Sequence, residues 1–198
     1  MRRLSRGLAA ALLAGAGLAA ALPAGTAVAA GPATAGTAVT SCGVDWGSLP
    51  KVSTDSRYKP LRDIRTGTHE CYDRMVFDTL GPDTGAPIGY HVRYVDQLRQ
   101  DGSGEVIPVG GGAILEVRVA APSYDPETGQ ATYDGKVRQP LPGVDITGYR
   151  TFRDTRYGGS FEGDTQVGLG VRAKLPFRVF QVGNRVVVDV AHSWRGFH

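Results

Sequence analysis

Nine residues hold three arginines and three aromatics: Tyr149-Arg150-Thr151-Phe152-Arg153-Asp154-Thr155-Arg156-Tyr157. Arginine forks grip carboxylates bidentately, and aromatic faces cover sugar rings or stack on guanidinium groups. Tyr149, Arg150, Arg153 and Tyr157 are therefore the candidate ligand-binding residues, the arginines for carboxylates and a tyrosine for a sugar ring. The competing reading is a half-buried strand or short helix whose aromatics belong to the core and whose arginines are solvated.

Chemistry of other kinds finds less support. His69, His91, His192 and His198 are scattered, and none stands in the H-x-x-x-H or H-E-x-x-H spacing of a metal site. No serine occupies a G-x-S-x-G elbow. Gly168-Leu169-Gly170-Val171-Arg172-Ala173 has the spacing of a dinucleotide fingerprint, but strand-like Leu175-Pro176-Phe177-Arg178-Val179 follows where the fingerprint needs a helix. Asp101-Gly102-Ser103-Gly104-Glu105 has the oxygens of a calcium loop without its twelve-residue pattern, and reads better as a hairpin turn. Gly110-Gly111-Gly112 reads as a turn into the next strand. No catalytic residue, metal or cofactor is expected, and the chain reads as a binding protein rather than an enzyme. A hydrolase working through a carboxylate pair is the outlying alternative, since separation in space is not legible here.

The elements that must carry these residues are short apolar alternations cut by Gly and Pro, with no clean helical stripe. Arg74 to Thr79 sets Met75 and Phe77 against Arg74, Val76 and Asp78. Gly89 to Val95 puts Tyr90, Val92 and Tyr94 on one face. Ala113 to Ala120 turns Leu115, Val117 and Val119 inward and Glu116 and Arg118 outward. Phe161 to Val171 reads as one strand whose glycines imply a bulge or the close approach of another backbone. Phe177 to Val182 and Arg185 to Val190 flank Gly183-Asn184, a two-residue turn of primed type. With Val182 facing Arg185, Phe177 opposes Val190 and Val179 opposes Val188 on the inner face. Phe180 then opposes Val187, and Arg178 opposes Asp189, on the outer. A slip by one residue would drive Arg178 and Asp189 into the core. As an exposed pair these two would contribute under about 1 kcal/mol. Residues 121–160 are rich in Pro and Gly and read as long loops, with one short element at 145–156. The fold class expected is all-β, a single β-sandwich of short antiparallel strands with a long loop-rich insertion.

Residues 1–30 look like a secretory signal peptide: Arg2, Arg3 and Arg6, a run of Leu, Ala and Gly from Leu8 to Leu22, then Ala27-Val28-Ala29-Ala30 as a processing site. Arg2-Arg3 lacks the hydrophobic continuation of a twin-arginine signal, so general secretion is the expected route. The apolar run is short for a membrane span, and no integral membrane anchor is expected. The leader also carries the net charge of +3, because its three arginines are the whole excess of 22 basic over 19 acidic side chains. A balanced mature chain gives no support to nucleic-acid binding. Residues 31–41 read as a flexible linker and 42–198 as one domain, expected to be a monomer. The two cysteines of an exported chain, Cys42 and Cys71, are expected to pair.

Two longer stretches resemble a known family. The run His69-Glu70-Cys71-Tyr72-Asp73-Arg74-Met75-Val76-Phe77-Asp78, followed by Gly89-Tyr90-His91-Val92-Arg93-Tyr94, is similar to the start of an AMIN-like domain. Phe161-Glu162-Gly163-Asp164-Thr165-Gln166-Val167-Gly168-Leu169-Gly170, with Pro176 to Phe180 and Arg185 to Val190, resembles its second half. Such domains occur in secreted bacterial proteins and resemble the AMIN module of cell-wall amidases. The resemblance implies a β-sandwich, a secreted or cell-wall-associated location, and non-catalytic binding of peptidoglycan or another cell-envelope component. It transfers no binding residues. An extracytoplasmic module that docks an exported protein partner is the alternative.

Overall fold

In the computed structural model, residues 42–54 and 58–194 are described. The expected signal peptide and the 31–41 linker lie outside them. Strand formation follows the alternation of apolar and polar side chains. β3 (Tyr72–Thr79) buries Met75 and Phe77, and β7 (Ala113–Val119) buries Leu115, Val117 and Val119. β4 (Tyr90–Val95) buries Val92 and leans Tyr90 and Tyr94 on the core.

Eleven strands are described, with no helix among the described residues. β1 (Lys51–Ser53), β4, β7, β9 (Asp164–Val171) and β8 (Phe152–Phe161) form a five-stranded sheet in the order β1-β4-β7-β9-β8. β10 (Phe177–Val182), β11 (Arg185–Ala191), β3 and β2 (Leu61–Thr68) form a four-stranded sheet in the order β10-β11-β3-β2. Every pairing in both sheets is antiparallel. The inner faces supply one core, with Val117, Val167, Leu169 and Phe152 from the larger sheet and Ile64, Met75, Phe77, Phe177 and Val188 from the smaller. This is a β-sandwich.

The β10–β11 hairpin has the register expected: Phe177 faces Val190, Arg178 faces Asp189, Val179 faces Val188, and Val182 faces Arg185. Gly183 alone of the turn pair takes positive φ, at 56°, the pattern of a type II′ turn. Cys42 and Cys71 are disulfide-bonded, as expected, tying the N-terminal segment to the start of β3.

Two strand assignments from sequence need correction. The single strand expected over 161–171 is the second arm of a β8–β9 hairpin turning at Glu162-Gly163, where φ is +49° and +90°. The short element expected at 145–156 is instead the ten-residue strand β8, which starts at Phe152. The rest of the insertion runs over the end of the core and contributes Leu141 and Tyr133 to it.

Candidate functional site: the outer face of the four-stranded sheet

The two outer faces of the sandwich differ. Over the five-stranded sheet lies a hairpin of β5 (Leu98–Arg99) and β6 (Val106–Ile107), with Leu98 and Ile107 buried beneath it. Gly168 and Gly170 make this possible, because a Cβ on Gly168 would run into Leu98 and Val109, and one on Gly170 into the Gly110 carbonyl. Beside the hairpin, Glu116 is buried under Arg93 and Arg118, and the Gln166 amide bonds to both Glu116 and the Arg99 carbonyl. Burial works to raise the Glu116 pKa, but the hydrogen bonds of Arg93 and Gln166 and the charge of Arg118 overcome it, so the carboxyl lies below its ordinary value. Burial pushes Asp101 and Asp164 nearby in the opposite direction, upward. Under the hairpin this face is a packed polar layer, while an open pocket of about 450 Å³ lies beside it, lined by Val95, Val109, Ile114 and Lys174 among others.

The four-stranded sheet presents its outer face differently. Reading across β10, β11, β3 and β2, the outward positions form three rows: Val182–Arg185–Asp78–Asp63, Phe180–Val187–Val76–Arg65, and Arg178–Asp189–Arg74–Gly67. Two carboxylates sit at the bottom of this layer. The Asp78 side chain is only 4% exposed and accepts Nε of Arg65 at 2.6 Å and Nε of Arg185 at 2.7 Å, with Arg62 3.8 Å away. Asp189 is fully buried and takes Arg74 as a two-pronged pair, Nε at 2.6 Å and Nη2 at 2.9 Å, and Arg178 at 2.8 Å. Burial opposes ionisation of Asp78, but Arg65 and Arg185 prevail and its pKa is lowered. Arg65 and Arg74 are correspondingly raised by their bonds to Asp78 and Asp189.

Aromatic rings stiffen one end of the layer. The Arg178 guanidinium lies 4.4 Å from the Trp46 ring centroid and 4.9 Å from that of Phe180, and Arg74 lies between Tyr72 and Phe180. His69 stacks on Tyr72 at 4.4 Å. Between the two carboxylates lies an open groove of about 350 Å³ lined by Arg65, Arg74, Arg185, His69, Val76 and Val187, among others. Val76 and Val187 are buried although they face outward, under the stems of the arginines and Phe180. The groove thus has an aliphatic floor, a cationic rim and no carboxylate in its lining. Such a surface can hold an anionic chain that also carries apolar groups.

Of the four residues singled out in sequence, Tyr149, Arg150 and Arg153 stay together and Tyr157 leaves them. Tyr157 is 3% exposed, packs against Tyr133 and donates its hydroxyl to Ser123 Oγ, so its ring is not open to a ligand. Tyr149 is half-buried, stacked on Phe152, and donates to Thr66 Oγ1. Arg153 turns back onto the carbonyls of Tyr149, Arg150 and Phe152. Arg150 is exposed and bonds the Glu70 carbonyl at 3.3 Å. Asp73 and His192, which no motif in the sequence marks, form a buried tie. Asp73 accepts the Thr151 and Phe152 amides, while the two ring nitrogens of His192 face Asp73 and the Glu70 carbonyl. With both nitrogens taken up, this pair holds β3, the end of β11 and the start of β8 together. Among the described residues no group of His, Cys, Asp or Glu is gathered to hold a metal, and no helix is long and apolar enough to cross a membrane.

Arg65 and Arg185 escaped notice in the sequence because nothing in one dimension joins them. The available signal was the outward parity of β3 and β11, which aligns Arg74 and Asp78 with Asp189 and Arg185. No curated protein and no solved structure matches the chain. The model of one family does, over residues 59–192, which span all of both large sheets except β1. The chain belongs to the AMIN-like domain family.

Proposed function

We propose that this AMIN-like domain is a non-catalytic module that binds peptidoglycan outside the cytoplasm, through the outer face of its four-stranded sheet. The family supplies the cell-wall setting, and a disulfide suits an exported chain. The observation that carries the reading to a surface is the groove between Asp78 and Asp189, with three guanidinium groups and no carboxylate in its lining. Peptidoglycan offers many carboxylates on a repeating polymer, so single contacts of modest strength add up through multivalency.

Co-sedimentation with purified sacculi tests this. Wild-type protein should pellet with them, and added salt should weaken the association because the arginine heads stand in water. Arg65→Gln combined with Arg185→Gln should weaken binding by about tenfold or more, the loss expected for charge-assisted contacts. Arg150→Gln with Arg153→Gln should leave binding nearly unchanged, because Arg153 already serves its own loop. Wild-type protein left entirely in the supernatant would refute the reading.

A further inference from the structure

The way the groove holds its arginines says which part of such a polymer it fits, an inference that rests on the peptidoglycan reading. Arg65 and Arg185 are each about half exposed, 51% and 50%, and each spends Nε on Asp78. Their terminal nitrogens make no hydrogen bond to another described residue, so two guanidinium ends stand pinned and undersubscribed at one end of the groove. Because a buried carboxylate fixes them, little side-chain freedom is left to lose when an anion binds. Arg74, at the other end, is different: Asp189 and Tyr72 occupy its fork.

Apart from the exposed His69, which stacks with one face only, the aromatic faces nearby are already covered. Tyr72 has His69 on one side and lies against Arg74 and Arg178, and Phe180 lies under both arginines. The floor between the two ends is aliphatic: Val76 and Val187 are almost covered, and Val182, 51% exposed beside Arg185, is the open apolar lining. A sugar ring would find no free Tyr, Trp or Phe face there and only the small ring of His69, whereas small aliphatic side chains would find Val182 and the edges of Val76 and Val187. From Arg185 to Asp189 the groove follows four residues of β11, a distance of about 13 Å at roughly 3.3 Å per residue. An extended peptide of about four residues covers the same length.

We infer that the groove binds a short acidic peptide in extended form, its carboxylate on Arg65 and Arg185 and its small apolar side chains against Val182 and the thin exposed edges of Val76 and Val187, so that the domain reads the peptide stems of the polymer rather than its glycan.

Amidase digestion of sacculi separates free peptide stems from sugar chains and so provides the two competitors. The stem fraction should displace the domain from intact sacculi, and the sugar chains should not. Stems whose carboxyls have been methyl-esterified should compete about tenfold less well. Against Arg65→Lys with Arg185→Lys, which keeps charge but loses the forks, native stems should lose most of their advantage over esterified ones while the melting temperature stays close to wild type. Displacement by sugar chains and not by stems would overturn the inference while leaving peptidoglycan binding intact. If the domain ignores sacculi altogether, the inference falls together with the reading beneath it.

Discussion

At the scale of single residues, the organising device is a buried carboxylate shared by guanidinium groups. The hairpin pattern in the sequence makes Asp189 one half of a solvent-exposed pair with Arg178. The pairing is right and the exposure is not, because Arg74 from the adjacent strand also enters and leaves Asp189 with no exposed surface. The cost of removing its charge changes accordingly. Asp189→Asn should destabilise the domain by about 1.5–3 kcal/mol, the range for hydrogen bonds to charged groups, instead of the fraction of 1 kcal/mol typical of a surface pair. The full penalty of a deeply buried orphan charge is not expected, since Arg74 and Arg178 keep 25% and 40% of their side-chain surface in water. For a domain of this size that corresponds to a fall in melting temperature of several degrees. Arg178→Gln should cost less, because Arg74 still neutralises Asp189. A variant Asp189→Asn that melts with the wild type would show that the carboxylate anchors nothing.

At the scale of elements, legibility followed regularity. The β10–β11 hairpin was readable to the residue because a two-residue turn fixes register and a slip would bury two charges. β2 is not legible in the sequence because a bulge between Leu61 and Asp63 shifts its inward positions to Leu61 and Ile64, three apart, in a segment otherwise made of charged residues, threonine and glycine. β8 was missed for the same reason twice over, with irregularities at Phe152/Asp154 and Tyr157/Gly159. Its turn at Glu162-Gly163 lacks the Asn-Gly or Asp-Gly signature, although both residues take positive φ. The consequences for the site are direct. Arg74, Arg178 and Asp189 lay on strands that could be read, while Arg65 lay on one that could not. The Tyr149–Tyr157 cluster looked like a site because its members are adjacent in the chain. A loop followed by a bulged strand keeps Tyr149, Arg150 and Arg153 together, sends Tyr157 inward and folds Arg153 onto neighbouring carbonyls.

At the scale of the whole molecule, each sheet carries a buried carboxylate held ionised from above, Asp78 on one and Glu116 on the other. Both have folded-state pKa values below their ordinary 3.8 and 4.5. Their stabilisation is therefore complete above those ordinary values and is lost as the pH falls through the lowered ones. Asp101 and Asp164, whose burial raises their pKa, act in the opposite sense, since their cost is present above the raised values and is relieved by acid. The urea midpoint should accordingly fall between about pH 5 and about pH 3, and Glu116→Gln, though weaker at neutral pH, should show a shallower fall. A wild-type midpoint that is flat over this window would mean that the two arginine-held carboxylates do not govern acid stability.

The proposed binding face rests on an asymmetry of the sandwich: a hairpin covers part of the five-stranded sheet, and the four-stranded sheet offers an arginine-rimmed groove. The most direct test follows the backbone amide signals of isotope-labelled domain by NMR as soluble peptidoglycan fragments that retain their peptide stems are added. The shifting amides should trace residues 62–67, 74–78 and 178–187 on the outer face of β2, β3, β10 and β11. Shifts confined to 145–157 or to the hairpin over the five-stranded sheet would contradict it, as would a spectrum that does not change.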